Sequence, residues 1–164
     1  MKTRQIINSF ILLTLLSLCQ SGTAQTEKKL YDPSVDGMKQ IKEAISKAGA
    51  TGKHVIIQYG GNWCPWCIRF HAFCKADAEI MKVLDDNYVV VELNYSKENK
   101  NDDSNIFLGN PTRFGFPVFI IVDAKGKPIH IQDSSLLEAG QGYDQKKIIG
   151  FLSNWTAAAL IPKK

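Results

Sequence analysis

A pair of cysteines separated by two residues, Cys64-Pro65-Trp66-Cys67, constrains the fold of this chain more than any other feature. The pair follows a short apolar run, Val55 to Ile57, and precedes a long stretch in which apolar residues recur at helical spacing. This order places the cysteines at a corner between a strand and a helix. We expect one sulfur to be exposed there and the other to lie behind it, close enough for a disulfide that exchanges with the sulfurs of another protein.

The remaining apolar pattern predicts alternating helices and strands. Helices are expected over residues 35–48, from the cysteine motif to about residue 84, and over 144–159. Strands are expected over 54–59, 88–95, 118–122 and 128–132, with a loose lead-in over 25–34. Loops are expected over 134–143 and over 96–112, the latter holding one short helical turn. Strand–helix–strand units pair their strands in parallel, whereas the turn between the last two strands pairs them antiparallel. This order predicts an α/β fold with a mixed parallel and antiparallel central sheet and helices on both faces.

The N-terminus has the pattern of an export signal. Lys2 and Arg4 precede a mostly apolar stretch over residues 6–18, which is too short to span a bilayer comfortably. Small residues ending at Ala24 suit signal peptidase, so we predict a signal peptide over residues 1–24. The mature protein is then expected to be periplasmic or secreted by a bacterium, without stable insertion in a membrane.

Two alternatives for this segment remain open. The apolar stretch could stay in place as an uncleaved membrane anchor. Cys19 could instead carry a lipid after a lipoprotein-type cleavage, although a residue smaller than Leu18 is expected before such a cysteine.

The composition predicts one compact domain over residues 25–164. Apolar residues make up 45% of the full chain, which is enough for a sizeable core. Loss of Lys2 and Arg4 would lower the formal charge from +4 to +2, and the basic residues are interspersed with acidic ones. Nucleic-acid binding is therefore not expected.

Three cysteines remain after the predicted cleavage, namely Cys64, Cys67 and Cys74. Cysteines that form stable disulfides in an oxidising compartment are present in even numbers. Three cysteines therefore favour a working redox pair and one further thiol over a disulfide framework. Cys74 is expected to be a small, semi-buried apolar residue. His71 is expected to be a surface histidine, although it could tune Cys67 from one helical turn away.

The motif and its surroundings resemble the thioredoxin family. Trp63-Cys64-Pro65-Trp66-Cys67 is similar to the Trp-Cys-x-x-Cys site of that family, placed after the expected strand. Gly115-Phe116-Pro117 is similar to the segment in which the family carries a cis-proline facing the disulfide. The resemblance covers about residues 35–160 and is closest to small exported bacterial proteins with a Trp-Cys-x-Trp-Cys site. It implies the thioredoxin fold and an exported thiol–disulfide oxidoreductase.

The two cysteines have different expected roles in that chemistry. Cys64 lies just before the predicted helix, where unpaired N–H groups and the helix dipole lower the pKa of a thiol, and it is the expected nucleophile. Cys67 is expected to attack the mixed disulfide and release the substrate. The cysteines carry the electrons, so no cofactor is expected, and the partners are protein thiols or disulfides and a redox protein that regenerates the site. Substrate contacts are expected from Trp63, Trp66, Phe116 and Pro117.

Two departures from the family bear on the direction of electron flow. Thioredoxin has a buried aspartate six residues before its first cysteine, which helps proton transfer at the second cysteine, whereas this chain has Gln58. The Gly-Pro pair usual between the cysteines is replaced by Pro65-Trp66. Reductase, oxidase and isomerase functions therefore remain open.

Three other hypotheses for the motif remain open. The cysteines could form a permanent structural disulfide. The ligand types of a Cys3His zinc site are present in Cys64, Cys67, His71 and Cys74. However, ligands spaced over two turns of one helix converge poorly on a tetrahedral ion. The domain could also be a non-catalytic binding module or chaperone that uses a groove lined by tryptophan.

Overall fold

The computed structural model describes residues 29–162, so the predicted signal peptide, its cleavage site and Cys19 lie outside the described residues. Within this range the helices are α1 (Gly37–Thr51), α2 (Pro65–Ala76), α3 (Ala78–Asn87), α4 (Asp102–Phe107) and α5 (Gln145–Asn154). The strands are β1 (His54–Gly60), β2 (Tyr88–Asn94), β3 (Val118–Val122), β4 (Pro128–Asp133), β5 (Glu138–Ala139) and β6 (Gly142–Tyr143). None of the helices in residues 29–162 has the length and apolar character needed to cross a membrane.

The first four strands form one mixed sheet in the order β2-β1-β3-β4. β1 and β2 are parallel, with His54 opposite Tyr88, and α2 and α3 lie in the connection between them. β3 runs antiparallel to β1, with Val118 opposite Tyr59, and β4 runs antiparallel to β3. The α/β fold with a mixed sheet, predicted from the order of elements, is confirmed.

The side chains of the central strands, β1 and β3, divide between the two faces of the sheet because successive residues of a strand point to opposite sides. Ile56 and Phe119 pack with α2, α3 and α5, whereas Ile57 and Ile120 pack with α1. Both strands are buried along their whole length, as expected for strands covered on both faces. The helices therefore lie on both faces of the sheet, and the end of β1 leads directly into the cysteine motif.

The single long helix predicted after the cysteine motif is wrong, because the helix is interrupted at Asp77. This residue has an extended backbone, and its carboxylate accepts hydrogen bonds from the N–H groups of Glu79 and Ile80 at 2.9 and 3.0 Å. The side chain of Gln145, at the start of α5, donates a further hydrogen bond to the same carboxylate at 2.7 Å. An aspartate that caps a new helix in this way ends α2 and starts α3.

The segment 134–143, predicted to be a loop, contains a turn of 3₁₀ helix and the β5–β6 hairpin. Its last residue, Tyr143, packs edge-on against Trp66 with ring centroids 5.6 Å apart. The Tyr143 hydroxyl also donates a hydrogen bond to the Trp66 carbonyl at 3.2 Å. The hairpin therefore supports the first turn of α2 from the side.

Candidate active site at the Cys64–Cys67 disulfide

Cys64 and Cys67 are joined by a disulfide at the N-terminus of α2, with their Cα atoms 5.3 Å apart. Cys64 caps the helix: its backbone is extended, and its sulfur accepts a hydrogen bond from the N–H group of Cys67 at 3.1 Å. Pro65 occupies the first turn, where its missing N–H group leaves no helical hydrogen bond unmade. The motif therefore lies at the strand–helix corner that the sequence predicts.

The start of α2 is an electrostatic environment that favours a thiolate. The first turn of a helix carries unpaired N–H groups and the positive end of the helix dipole. The first turn of α2 contains no acidic side chain that would offset this effect. On reduction of the disulfide, the pKa of Cys64 is therefore expected to fall below that of a free thiol, about 8.5.

The expectation that one sulfur is exposed is wrong for this oxidised form. Cys64 is 3% exposed and Cys67 is 0% exposed. The two cysteines form a small buried cluster with Tyr31, and Leu30, Trp66 and Phe116 pack against it. Burial arises because the N-terminal strap (residues 29–34), predicted to be part of a loose lead-in, lies against the disulfide.

Three side-chain hydrogen bonds hold Tyr31 of the N-terminal strap in place. Its N–H group donates to Asn62 Oδ1 at 3.1 Å, and Asn62 Nδ2 donates to its carbonyl at 2.7 Å. Its hydroxyl oxygen accepts from Gln58 Nε2 at 2.5 Å. Sequence reasoning missed Tyr31 because residues 25–34 show no periodicity; the only available signal was an aromatic residue in a polar stretch.

Gln58 connects the N-terminal strap to the cysteine motif. Its side chain is buried on the face of β1 that α2 covers, and its Nε2 donates to the carbonyl of Cys67 at 2.9 Å as well as to Tyr31. Because an amide neither gains nor loses a proton near neutral pH, Gln58 links Tyr31 to Cys67 by hydrogen bonds without changing its charge. Burial is the largest cause that raises the pKa of Tyr31 well above its usual value, so the phenol is neutral.

The predicted substrate residues surround the disulfide. Trp63 is 55% exposed, yet its Nε1 donates to the Tyr95 carbonyl at 2.6 Å and its ring packs edge-on against Phe116 at 5.4 Å. Trp66 packs against Tyr143 and against the Arg69 guanidinium, which lies 4.6 Å from the centroid of its ring. The structure thus brings these aromatic side chains to the cysteine motif as a partly open rim.

Pro117 lies at the same end of the sheet as the cysteines. Val118, the next residue, is opposite Tyr59 near the end of β1, and the Phe116–Pro117 peptide bond is cis. The segment before β3 therefore runs beside the start of the cysteine motif, where Phe116 packs against Trp63.

His71 and Cys74 do not join the cysteine pair in a metal site. His71 Nδ1 lies 3.6 Å from Glu92 Oε1, and Cys74 is a buried, unpaired thiol in the core beside Phe70. Within residues 29–162 no three His, Cys, Asp or Glu side chains converge as metal ligands. The arrangement thus does not fit the Cys3His hypothesis, because two of its four sulfur and nitrogen donors are bonded to each other and the others point elsewhere.

Cys74 is predicted to be chemically inert in the folded protein. Burial, with a smaller contribution from the carboxylate of Asp77, raises the pKa of Cys74 to about 12. At pH 8 this thiol remains protonated, and only a thiolate reacts readily, so we expect alkylation by iodoacetamide about 100-fold slower than for a free cysteine. Peptide mass spectrometry of the native protein measures the rate, and the denatured protein serves as the control. Equal rates in the two states would contradict the prediction.

Gly60, the last residue of β1, leaves the space that the disulfide and the N-terminal strap occupy. A Cβ atom at this position would lie 2.5 Å from Cys67 Sγ and 3.0 Å from the Tyr31 hydroxyl oxygen. An alanine Cβ would overlap with these atoms unless Cys67 or Tyr31 shifted. Gly60→Ala is therefore expected to lower the free energy of unfolding of the oxidised protein by about 1–3 kcal/mol. Urea denaturation measures this change.

The matched control is Gly150→Ala in α5. A Cβ atom there meets no atom within 4 Å, and alanine favours a helix, so the free energy of unfolding should stay constant or rise by up to about 1 kcal/mol. Equal stability of the Gly60→Ala and wild-type proteins would contradict the tight packing of Gly60 against Cys67 and Tyr31.

Fold and site together define a thioredoxin-fold protein with a disulfide at the start of its second helix. The family described as a thioredoxin-like domain matches residues 41–134, which is more than half of the chain. This chain therefore belongs to the thioredoxin-like family. The family resemblance and the thioredoxin fold predicted from the sequence are confirmed.

Relatives of this chain carry the name thiol:disulfide interchange protein DsbD. The protein of that name from Escherichia coli strain K12 is 23% identical over 137 residues, which are 84% of this chain and 21% of that protein. The one from Colwellia psychrerythraea is 24% identical over 95 residues, 58% of this chain and 15% of that protein. This chain thus spans about a fifth of the length of these relatives.

Solved structures agree with the fold. A disulphide isomerase from Xylella fastidiosa Temecula1 superposes with a TM-score of 0.69 at 20% identity, over 77% of this chain and 96% of that one. A thioredoxin from Thermus thermophilus superposes with a TM-score of 0.51 at 18% identity, over 76% and 84% of the two chains. At these identities the likeness shows the fold.

Proposed function

We propose that this protein is an exported thiol–disulfide oxidoreductase that exchanges disulfides with protein substrates. The observation that carries the proposal is the Cys64–Cys67 disulfide at the N-terminus of α2, where helix N–H groups favour a thiolate on Cys64. The name thiol:disulfide interchange protein, carried by relatives that this chain covers only in part, agrees with this chemistry.

The proposed reaction has two exchange steps. In the reducing direction, the Cys64 thiolate attacks one sulfur of a substrate disulfide, and the other substrate sulfur leaves as a thiolate and takes up a proton. Cys67 then loses its proton and attacks Cys64 Sγ, which reforms the internal disulfide and frees the second substrate thiol. Two electrons and two protons pass to the substrate, so the protein needs no cofactor. The oxidising direction runs through the same steps in reverse.

Substrate contacts are proposed for the aromatic rim and the segment before β3, that is, for Trp63, Trp66, Phe116 and Pro117. The exposed part of Trp63 offers an apolar surface to a partly unfolded chain. Because Cys64 is buried in the oxidised form, a substrate sulfur reaches it only after a side chain of the rim or of the N-terminal strap has shifted. Binding of the substrate and exposure of the Cys64 sulfur are thus expected to be coupled.

Export is proposed on the N-terminal pattern of Lys2, Arg4 and the apolar stretch that follows. One turnover inverts the oxidation state of the site, so a second redox protein has to restore it in the same compartment. N-terminal sequencing of protein recovered from the periplasm tests the export proposal. A chain that begins at Gln25 would support it, whereas a chain that retains residues 1–24 would contradict cleavage.

The activity itself is tested in both directions with catalytic amounts of the protein. Reduction of insulin by dithiothreitol is followed by precipitation, and reoxidation of a reduced dithiol peptide by glutathione disulfide is followed by chromatography. We expect acceleration in at least one direction, which is lost when the cysteines are reduced and alkylated beforehand. Acceleration in neither direction would contradict the proposal.

A second candidate function is a non-catalytic binding module for unfolded chains. It is favoured by the exposed apolar side chain of Trp63, which adjoins the cysteine motif. Suppression of the aggregation of an unfolded protein would survive replacement of both Cys64 and Cys67 by serine if binding were the function. Loss of that effect together with the cysteines would favour disulfide exchange.

A further inference from the structure

A buried phenol lies beside the buried sulfur of Cys67. Tyr31 is 0% exposed and packs in one cluster with Cys64 and Cys67. A Cβ atom built on Gly60 would lie 2.5 Å from Cys67 Sγ and 3.0 Å from the Tyr31 hydroxyl oxygen, so the sulfur and the oxygen approach the same point above the β1 backbone. Both atoms therefore border the same small space at the end of β1, and both belong to residues that are fully buried.

The hydrogen bonds of Tyr31 leave its own proton available. Gln58 Nε2 donates to the hydroxyl oxygen, and because both hydrogens of an amide nitrogen are donors, the phenol cannot donate back to that atom. Within residues 29–162 the phenol proton has no oxygen or nitrogen acceptor among the side-chain hydrogen bonds of the protein. The neighbouring acceptor is the sulfur of Cys67, which becomes a strong one when it carries a negative charge.

We propose that Tyr31 donates a hydrogen bond to the Cys67 sulfur whenever that sulfur is a thiolate, and so speeds the exchange step in which Cys67 takes part. This inference rests on the proposed function and adds to it a residue of the N-terminal strap. Gln58 acts as a positioning residue, because its Nε2 donates hydrogen bonds both to the Tyr31 hydroxyl oxygen and to the Cys67 carbonyl.

The hydrogen bond serves both directions of exchange. In the reducing direction, Cys67 releases its proton to solvent, forms a bond to Cys64 Sγ and breaks the bond between Cys64 and the substrate, whose sulfur leaves and takes up a proton from solvent. In the oxidising direction, a substrate thiolate attacks Cys64 Sγ, and Cys67 leaves as the thiolate. Tyr31 keeps its own proton throughout and lowers the energy of the Cys67 thiolate in each case.

The charges around this pair agree with a donor role rather than a basic one. Burial is the main cause that raises the pKa of Tyr31, and Glu92 of β2 and Tyr143 of β6 raise it further. His71 of α2 faces Glu92, while Arg69 of α2 and Glu138 of β5 act on Tyr143. A phenol that stays neutral cannot take the proton of Cys67, but it donates hydrogen bonds across the whole physiological range.

The test is Tyr31→Phe, which removes the hydroxyl and keeps the ring. Reduced protein is mixed with a small excess of Ellman's reagent, so that attack by Cys64 releases a first equivalent of coloured thiolate and attack by Cys67 on the mixed disulfide releases a second. We expect an unchanged first phase. Loss of the Tyr31 hydroxyl is expected to raise the pKa of Cys67 by about one unit, which lowers the fraction of thiolate about tenfold. Because the remaining thiolate is more nucleophilic, the second phase should slow only about threefold at pH 7. The pH midpoint of the second phase should rise by about one unit.

The matched control is Tyr88→Phe, which removes a buried hydroxyl that donates to the Leu152 carbonyl at 2.5 Å, remote from the sulfurs. We expect both phases to match those of the wild-type protein. A 3-fluorotyrosine at position 31, whose hydroxyl is a stronger donor, should lower the midpoint of the second phase. A second phase with the same rate and midpoint in Tyr31→Phe and wild type would overturn the inference, as would equal slowing of both phases with an unchanged midpoint. The absence of a second phase in the wild-type protein would instead reject the proposed function.

Discussion

Replacement of Cys64 by serine is expected to slow disulfide exchange by about 1,000-fold or more, down to the background rate of the chemical reductant. A serine hydroxyl stays protonated near neutral pH even at the start of α2, so it cannot open a substrate disulfide. Cys67 is not expected to replace it, because Cys64 caps α2 whereas Cys67 lies inside the helix and packs against Gly60 and Tyr31. The insulin and peptide assays, run with variant and wild type at equal concentration, measure the loss.

Cys74→Ala is the matched control for this prediction, since it also removes one cysteine but leaves the disulfide pair intact. We expect its rate to stay within about twofold of wild type, because the Cys74 thiol is protonated and packed in the core. Full turnover by Cys64→Ser would reject Cys64 as the nucleophile.

Replacement of Cys67 by serine is expected to have the second large effect, the accumulation of mixed disulfides on Cys64. Without Cys67, no internal sulfur can attack the bond between Cys64 and the substrate, so release depends on slow reduction from solution. We expect more than about half of the variant to carry a substrate when it is isolated under conditions that block free thiols, against a few per cent of the wild-type protein. Non-reducing electrophoresis and peptide mass spectrometry measure the adducts and their position.

The control for trapping is the variant in which both Cys64 and Cys67 are replaced by serine, which should carry none of these adducts. Adducts that map to Cys74, or that persist in this double variant, would show that the trapped bond is not part of the proposed reaction.

The position of the cysteine pair could be predicted from sequence because local patterns determine it. The continuous apolar run of β1, the helical spacing that follows and Pro65 in the first turn together specify a strand–helix corner. The mixed sheet follows from the order of elements and the final turn in the same way. The signals for the strand–helix corner are local and lie within a window of about a dozen residues.

The covering of the disulfide could not be predicted in this way. Tyr31 reaches Gln58 and Asn62 across 27 and 31 residues of sequence, and no periodicity in a polar segment indicates such contacts. The break at Asp77 has a similar origin, since its carboxylate is shared between the start of α3 and Gln145, which is 68 residues away. Both features depend on long-range hydrogen bonds, and the first changes the exposure of the reactive sulfur.

The direction of electron flow depends on how strongly the site stabilises its thiolates. Gln58 supplies no carboxylate beside Cys67, while the start of α2 favours a thiolate on Cys64 and Tyr31 is positioned to favour one on Cys67. Stabilised thiolates make the reduced form more stable and the disulfide more oxidising. A reduction potential near about −270 mV would indicate a reductant such as thioredoxin, and one near about −120 mV a strong oxidant.

The central claim is that the Cys64–Cys67 disulfide is a working redox pair and not a permanent structural bond. Its most direct test is equilibration of the folded protein with glutathione buffers across a wide range of thiol-to-disulfide ratios, with the reduced fraction read by peptide-resolved alkylation. We predict a reversible two-electron transition in which Cys64 and Cys67 change together while the protein stays folded. A disulfide that remains intact at every ratio, or that opens only when the protein unfolds, would contradict the claim.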